Sequence, residues 1–230
     1  MFKNLLAWFR QRRFLVLLVS LLGLSVIQPI LEDTGLLGAK ILFKLFLTIV
    51  LFSSIYAVSQ NKRVFVIAVI LGIPSFAVHW FGYLLGANLV IMVMVQSVMA
   101  VFFVFIAWIM LSHVLKSERV SWEKIAAAIC VYLILGIIWA LMYSILYSLF
   151  PGAFNIENPL MSDFVYYSFI TLSTLGYGDI TPLIASAQAL SYVEAITGQI
   201  YLAVLIAGLV GMHVANSKED ENEGKSALDS

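Results

Sequence analysis

Thr174-Leu175-Gly176-Tyr177-Gly178-Asp179 follows directly on an amphipathic block, Ser162-Asp163-Phe164-Val165-Tyr166-Tyr167-Ser168-Phe169-Ile170-Thr171-Leu172-Ser173, and precedes Ile180-Thr181-Pro182. The block reads as a short helix that Ser162 caps. Asp163 suits its first turn, because a carboxylate there meets the positive end of the helix dipole. In the six residues after it, glycine at 176 and 178 permits positive φ, so successive carbonyls can all face one side. The enclosing segment, 150–183, is too polar to span a membrane as one helix, yet long apolar runs flank it. A short helix turning into a glycine-alternating strand between two spans is a re-entrant loop. Membranes tolerate such a loop only where it lines water or is buried in protein.

The rest of the chain supplies the membrane. Of 230 residues, 62% are hydrophobic and 11% charged, against about 45–50% and about 25% in a soluble domain. Lys plus Arg and Asp plus Glu number 13 each, so neither a basic surplus suited to nucleic acid nor an acidic disordered chain is present. The single cysteine, Cys130, makes no intrachain disulfide, and no Cys/His spacing suits zinc. The basic start, with Lys3, Arg10, Arg12 and Arg13 before an apolar run, resembles a signal peptide, but no small-x-small cleavage site follows. It reads as a retained first span.

A helix needs about 20 apolar residues to cross the hydrocarbon core. Six spans are expected, at 14–31, 36–59, 64–83, 89–115, 125–149 and 185–215. The charge-free stretch 64–115 must turn, and Gly82-Tyr83-Leu84-Leu85-Gly86-Ala87-Asn88 is the place. With the amino terminus cytosolic, eleven of the 13 Lys and Arg fall on the cytosolic side, leaving Lys40 and Lys44 opposite. That orientation puts both termini in the cytosol of a plasma (inner) membrane protein, and the 150–183 segment outside. The expected organisation is a basic amphipathic segment at 1–13, a four-helix peripheral unit at 14–120, a pore unit at 121–216 and a short acidic tail at 217–230. The fold class is all-α.

The residue types make sense if the 174–178 strand strips water from a cation. Backbone oxygens replace the hydration shell, the Thr174 hydroxyl adds a ring at the inner mouth, and the carboxyl end of the short helix, near Thr171, aims its negative end at a cation below. One chain supplies one strand, so a homotetramer is implied. The stretch Thr174 to Asp179 resembles the signature filter of the tetrameric potassium channel family. The resemblance implies K+ bound at Thr174, Leu175, Gly176, Tyr177 and Gly178, as permeant ion and not as cofactor. It places Tyr166 and Tyr167 at aromatic-cuff positions that bond the Tyr177 hydroxyl, and matches Gly198, twenty residues beyond Gly178, to a hinge glycine of the inner helix. It covers about 125–215. Leu175 stands where Val or Ile is usual, and Ile170 where some members pair a carboxylate with the filter aspartate, so Asp179 needs another partner, Tyr166 or Tyr167.

Glu194, four residues before Gly198, is a carboxylate inside the sixth span and reads either as a brace hydrogen-bonded to Ser168 or Thr171 or as a cation-attracting or pH-gating group. Gln199 lines the cavity or bonds another helix. The fourth span carries no Arg or Lys ladder, so steep voltage gating is not expected, since each charge crossing the field is worth about 2.3 kcal/mol per 100 mV. His79 reads as a buried imidazole. The tail is too short for a ligand-gating domain. Partners are further copies and membrane lipid, with no nucleic acid and no small-molecule substrate. A weakly selective cation channel is the alternative, prompted by Leu175. A non-transporting polytopic membrane protein, enzyme or scaffold subunit, is the less favoured reading; for an enzyme, Glu194, His79 and Cys130 do not converge.

Overall fold

The computed structural model describes residues 13–33, 39–59, 61–81, 88–116 and 121–228. They form seven helices: α1 Arg13–Asp33, α2 Ala39–Ala57, α3 Lys62–Phe81, α4 Leu89–Lys116, α5 Trp122–Leu149, α6 Met161–Leu172 and α7 Ala185–Leu228. No strand occurs among the described residues, only an isolated antiparallel bridge between Phe154 and Pro182. Among the described residues three helical stretches are long and apolar enough to cross a membrane, Leu89–Leu115, Trp122–Leu149 and Ala185–Gly211. The expected basic segment up to residue 12, the turn at 82–87 and the side chains of Lys40, Lys44 and His79 lie outside the described residues.

The helices start where short polar side chains satisfy the first free N–H groups. Asn61 Oδ1 accepts from Arg63 N at 3.0 Å, Asn88 Oδ1 from Val90 N at 3.1 Å and Ser121 Oγ from Lys124 N at 3.2 Å. Helix α6 departs from the expectation: its cap position is Leu160, and Ser162 lies inside the first turn. Asp163 does the capping from within, its Oδ2 accepting from Leu160 N at 2.7 Å. An ionised carboxylate at this position both fills the orphan donor and meets the helix dipole, so it outcompetes a serine hydroxyl.

Consecutive helices pack as neighbours from α1 to α4, and α5 lies against both α1 and α4, closing the bundle. The core there is apolar, with Leu17, Leu21, Val50, Phe102, Phe103, Ile106 and Ile134 all fully buried. Burying such side chains is worth about 1.5–3 kcal/mol each in water; inside a bilayer the same contacts stabilise through close packing instead. A second core is aromatic. Tyr143 of α5, Phe154 of the following loop, and Phe164 and Tyr167 of α6 meet edge to face at centroid distances of 4.9–5.8 Å. It fixes α6 against α5, and α7 packs on α6 and more lightly on α5.

Helix α7 has 44 residues, about 66 Å of helix at 1.5 Å per residue. Helix α7 runs on through the stretch expected as an acidic tail from residue 217, up to Leu228. Charged residues at 218–225 do not stop a helix, since Glu and Lys are good helix formers.

Candidate pore site

The carboxyl end of α6 determines how the 174–179 segment begins. Ser173 N donates to Phe169 O (3.1 Å) and Thr174 N to Thr171 O (2.9 Å), while Leu175 N and Gly176 N both donate to Ile170 O at 2.9 and 3.1 Å. The last carbonyls of the helix thus consume the first N–H groups of the segment, which leaves its own carbonyls free of these bonds. Thr174, Gly176 and Gly178 adopt left-handed φ values of 60°, 56° and 78°, alternating with Leu175 and Tyr177 in ordinary conformations. Alternation of left- and right-handed residues turns successive carbonyls toward one side, and glycine makes it inexpensive at two of the three positions. Thr174 carries the remaining strain. Its Oγ1 donates to Ser173 O at 2.7 Å and accepts from Gln199 Nε2 at 3.2 Å, so Gln199 is tied to the start of the segment.

Every residue from Ser173 to Asp179 is exposed on the single chain, with Leu175 at 55% and Tyr177 at 67%. Large apolar side chains so uncovered at the end of a buried helix mark a surface awaiting another one.

Behind the segment sits a polar knot. Glu194 of α7 is fully buried. Ser168 Oγ lies 2.5 Å from Glu194 Oε1 and 2.7 Å from Gly136 O of α5, and the Tyr143 hydroxyl donates to Glu194 Oε2. One carboxyl therefore joins α5, α6 and α7 at one depth. One turn further along α7, Gly198 meets α6: a Cβ built there falls 2.1 Å from Leu172 O.

The aromatic pair after Val165 divides its work. Tyr167 is buried and its hydroxyl pairs with Ser191 Oγ of α7 at 2.6 Å, while the Tyr166 hydroxyl donates to Asp179 Oδ2 at 2.5 Å. Within the single chain the Tyr166 hydroxyl thus bonds Asp179 and the Tyr167 hydroxyl bonds Ser191. The hydrogen bond from Tyr166 holds the Asp179 carboxyl below its ordinary value of 3.8. Because the shift is downward, this bond favours the folded form above pH 3.8 and is lost as pH falls through the depressed value. Tyr166→Phe is expected to return the Asp179 titration toward 3.8, as read by carboxyl-carbon NMR, with no change at neutral pH.

Asn155 was not singled out by its sequence, yet it clamps the far end of the segment. Its Nδ2 donates to Asp179 O at 3.0 Å, its Oδ1 accepts from Thr181 N at 2.6 Å and its own N donates to Thr181 O at 3.1 Å. Leu183 N donating to Ala153 O at 2.8 Å continues the pairing. Asn155→Ala removes two side-chain bonds, about 0.5–1.5 kcal/mol each. The expected result is faster amide hydrogen exchange at Thr181 with the helices unchanged.

Residues 127–214, which run from α5 through the knot and segment into α7, match the family model described as ion channel. Over this region the chain is similar to ion channels. Over 109 residues it is 29% identical to two-pore potassium channel 4 of Arabidopsis thaliana, a match that covers 47% of this chain and 37% of that relative. No solved structure matches the chain. The family match stops short of α1–α4, so the peripheral bundle is read on its own residues.

Proposed function

We propose that four copies of the chain assemble around one axis into a passive, potassium-selective channel of an inner or plasma membrane. Each copy contributes one re-entrant loop, with α6 as pore helix and Thr174 to Gly178 as the ion-coordinating strand. The observation that carries this reading is the alternation of left-handed φ at Thr174, Gly176 and Gly178 on a segment exposed on its own chain. A four-fold arrangement converts one row of carbonyls into rings that replace the hydration shell of K+. The uncovered apolar side chains of Leu175 and α7, among them Ile196, Ile200 and Val204, fit burial against neighbouring copies.

Six spans are proposed, α1 to α5 and the first part of α7. Helices α1, α2 and α3 have 21, 19 and 20 residues, close to the roughly 20 that a bilayer demands. The amino terminus is placed on the cytosolic side by the distribution of Lys and Arg. Helix α4 carries no Arg or Lys before Lys116, which supports a conductance with little voltage dependence, and the chain is read as a conduit and not an enzyme. Gly198 and Gln199 line the proposed cavity side of α7.

Purified protein in planar bilayers tests the reading. Under opposed potassium and sodium gradients the reversal potential is expected near the potassium equilibrium value. Gly176→Val, which forces a β-branched residue into φ of 56° where such residues are outliers, is expected to abolish the current. A reversal potential near zero identifies a weakly selective cation pore instead, and no current from an assembled tetramer refutes the proposal.

A further inference from the structure

A cavity of about 320 Å³ lies at the end of the peripheral bundle where α1 and α3 begin and α2 and α4 finish. Arg13, Asn61, Ser112 and His113 form its polar wall, with Val58 and Val64 among its apolar residues, and no Asp or Glu lines it among the described residues. Arg13 is 9% exposed, and its guanidinium carbon stands 4.6 Å from the centroid of the Phe14 ring, which meets the His113 ring at 5.5 Å. This stack holds a cation at the cavity wall. His113 and Asn61 are exposed. Asn61 Oδ1 accepts from Arg63 N at 3.0 Å, so the amide turns its N–H groups to other acceptors.

The surrounding charge has one sign in excess. Glu123, in the first turn of α5, is the carboxylate whose field reaches Arg13, while Arg13 and Lys124 both act on His113. Two fixed cations thus face one carboxylate, and the exposed Lys62 and Arg63 open α3 beside the cavity. An anion is favoured there and a cation is not.

A second cavity indicates what carries the anion. It is an apolar groove of about 350 Å³ between α2 and α3, with Phe52, Ile55, Tyr56, Phe65, Val69 and Phe76 in its walls. Tyr56 and Phe65 are the sequence neighbours of Ala57 and Val64, which line the first cavity. From Phe65 to Phe76 α3 rises about 16 Å at 1.5 Å per residue, close to the roughly 15 Å of hydrocarbon in one leaflet. A free phosphate ion gains nothing from such a groove, whereas an acyl chain fills it. Phe52 and Phe65 are exposed, so the groove is open along its side and a chain enters from the bilayer.

We infer that the two cavities together hold one net-anionic phospholipid of the leaflet at this end, its phosphate between Arg13 and His113 and one acyl chain along the groove between α2 and α3. The phosphate oxygens accept from the guanidinium, from an imidazole N–H and from the Asn61 amide. A zwitterionic lipid carries the same phosphate, but its ammonium is brought among Arg13, Lys62 and Arg63, so a headgroup without that cation is preferred. The site lies apart from the proposed ion path and rests on no property of conduction.

The test uses the full chain, stripped of lipid in detergent, and native mass spectrometry with dioleoylphosphatidylglycerol, dioleoylphosphatidylcholine and inorganic phosphate as probes. Phosphatidylglycerol is expected to bind more tightly than phosphatidylcholine. Arg13→Gln is expected to weaken phosphatidylglycerol about tenfold, the scale of one hydrogen bond to a charged group, and to leave phosphatidylcholine unchanged. Basic residues before Arg13 attract any anionic lipid, so this difference between variants carries the result. Val69→Trp, which fills the groove, is expected to weaken phosphatidylglycerol as well. Should Arg13→Gln fail to fold by circular dichroism, His113→Ala, at an exposed position, is expected to show a loss in the same direction. Equal binding of the two lipids, unchanged phosphatidylglycerol binding in folded Arg13→Gln or Val69→Trp protein, or displacement of the lipid by inorganic phosphate would each overturn the inference. Since the readout is lipid binding, a protein that conducts nothing still reports on it.

Discussion

Gly198→Ala is expected to disrupt the contact between α6 and α7 strongly for a change of one methyl group. The added Cβ would sit 2.1 Å from Leu172 O, 3.0 Å from Leu172 C and 3.1 Å from Leu172 Cδ1. The first two are backbone atoms of the last turn of α6, and that turn is fixed because its carbonyls hold the N–H groups of residues 173–176. Overpacking ordinarily costs about 1–3 kcal/mol; against an immobile carbonyl the cost lies at the upper end of that range or above it. The measurement is thermal stability and assembly state in detergent, followed by single-channel recording. A hinge role for Gly198 makes a different forecast, because alanine at a hinge changes open probability while assembly stays intact. Loss of assembly identifies close approach as the reason for glycine. Wild-type assembly together with wild-type currents would mean that α7 and α6 do not meet at this distance.

The contrast shows what the sequence makes readable. Apolar runs of bilayer length locate the helices within a few residues, except at the end of α7, because a lone segment in hydrocarbon satisfies its own backbone only as a helix. The glycines at 176 and 178 announce a left-handed backbone, since the requirement is local and the residue type reports it. Pairings across the fold are harder to read. A partner for Asp179 is expected from Tyr166 or Tyr167, and geometry selects Tyr166 because Tyr167 turns inward to Ser191. Asn155 lies 24 and 26 residues from the groups it clamps, within a loop whose composition suggests only a turn. The Gln96–Ser144 bond joins residues 48 apart on two helices whose faces a uniform apolar pattern leaves undefined. The helix start at Leu160 was missed for a related reason. A serine is the commoner cap, whereas a carboxylate three residues inside reaches back to do the same work.

Glu194→Ala is expected to have the second large effect, and the choice of replacement separates bracing from charge. The carboxyl receives the Tyr143 hydroxyl on Oε2 and contacts Ser168 Oγ on Oε1, with all three side chains fully buried. Alanine leaves the Tyr143 hydroxyl without this acceptor, at about 1–3 kcal/mol, and opens a cavity between α5, α6 and α7 that adds to the loss. Ser168 keeps Gly136 O at 2.7 Å, so the damage centres on the contact between α7 and α5. Glu194→Gln retains an oxygen for Tyr143 and offers an N–H to Ser168 Oγ, whose own proton then serves Gly136 O. If the group acts as a brace, glutamine restores the thermal stability and assembly that alanine loses, and conduction returns with them. If its charge draws cations toward the pore, glutamine restores assembly yet lowers single-channel conductance. The two outcomes are read on the same protein, one by melting in detergent and the other by current amplitude at low potassium, where attraction by a fixed charge is least screened.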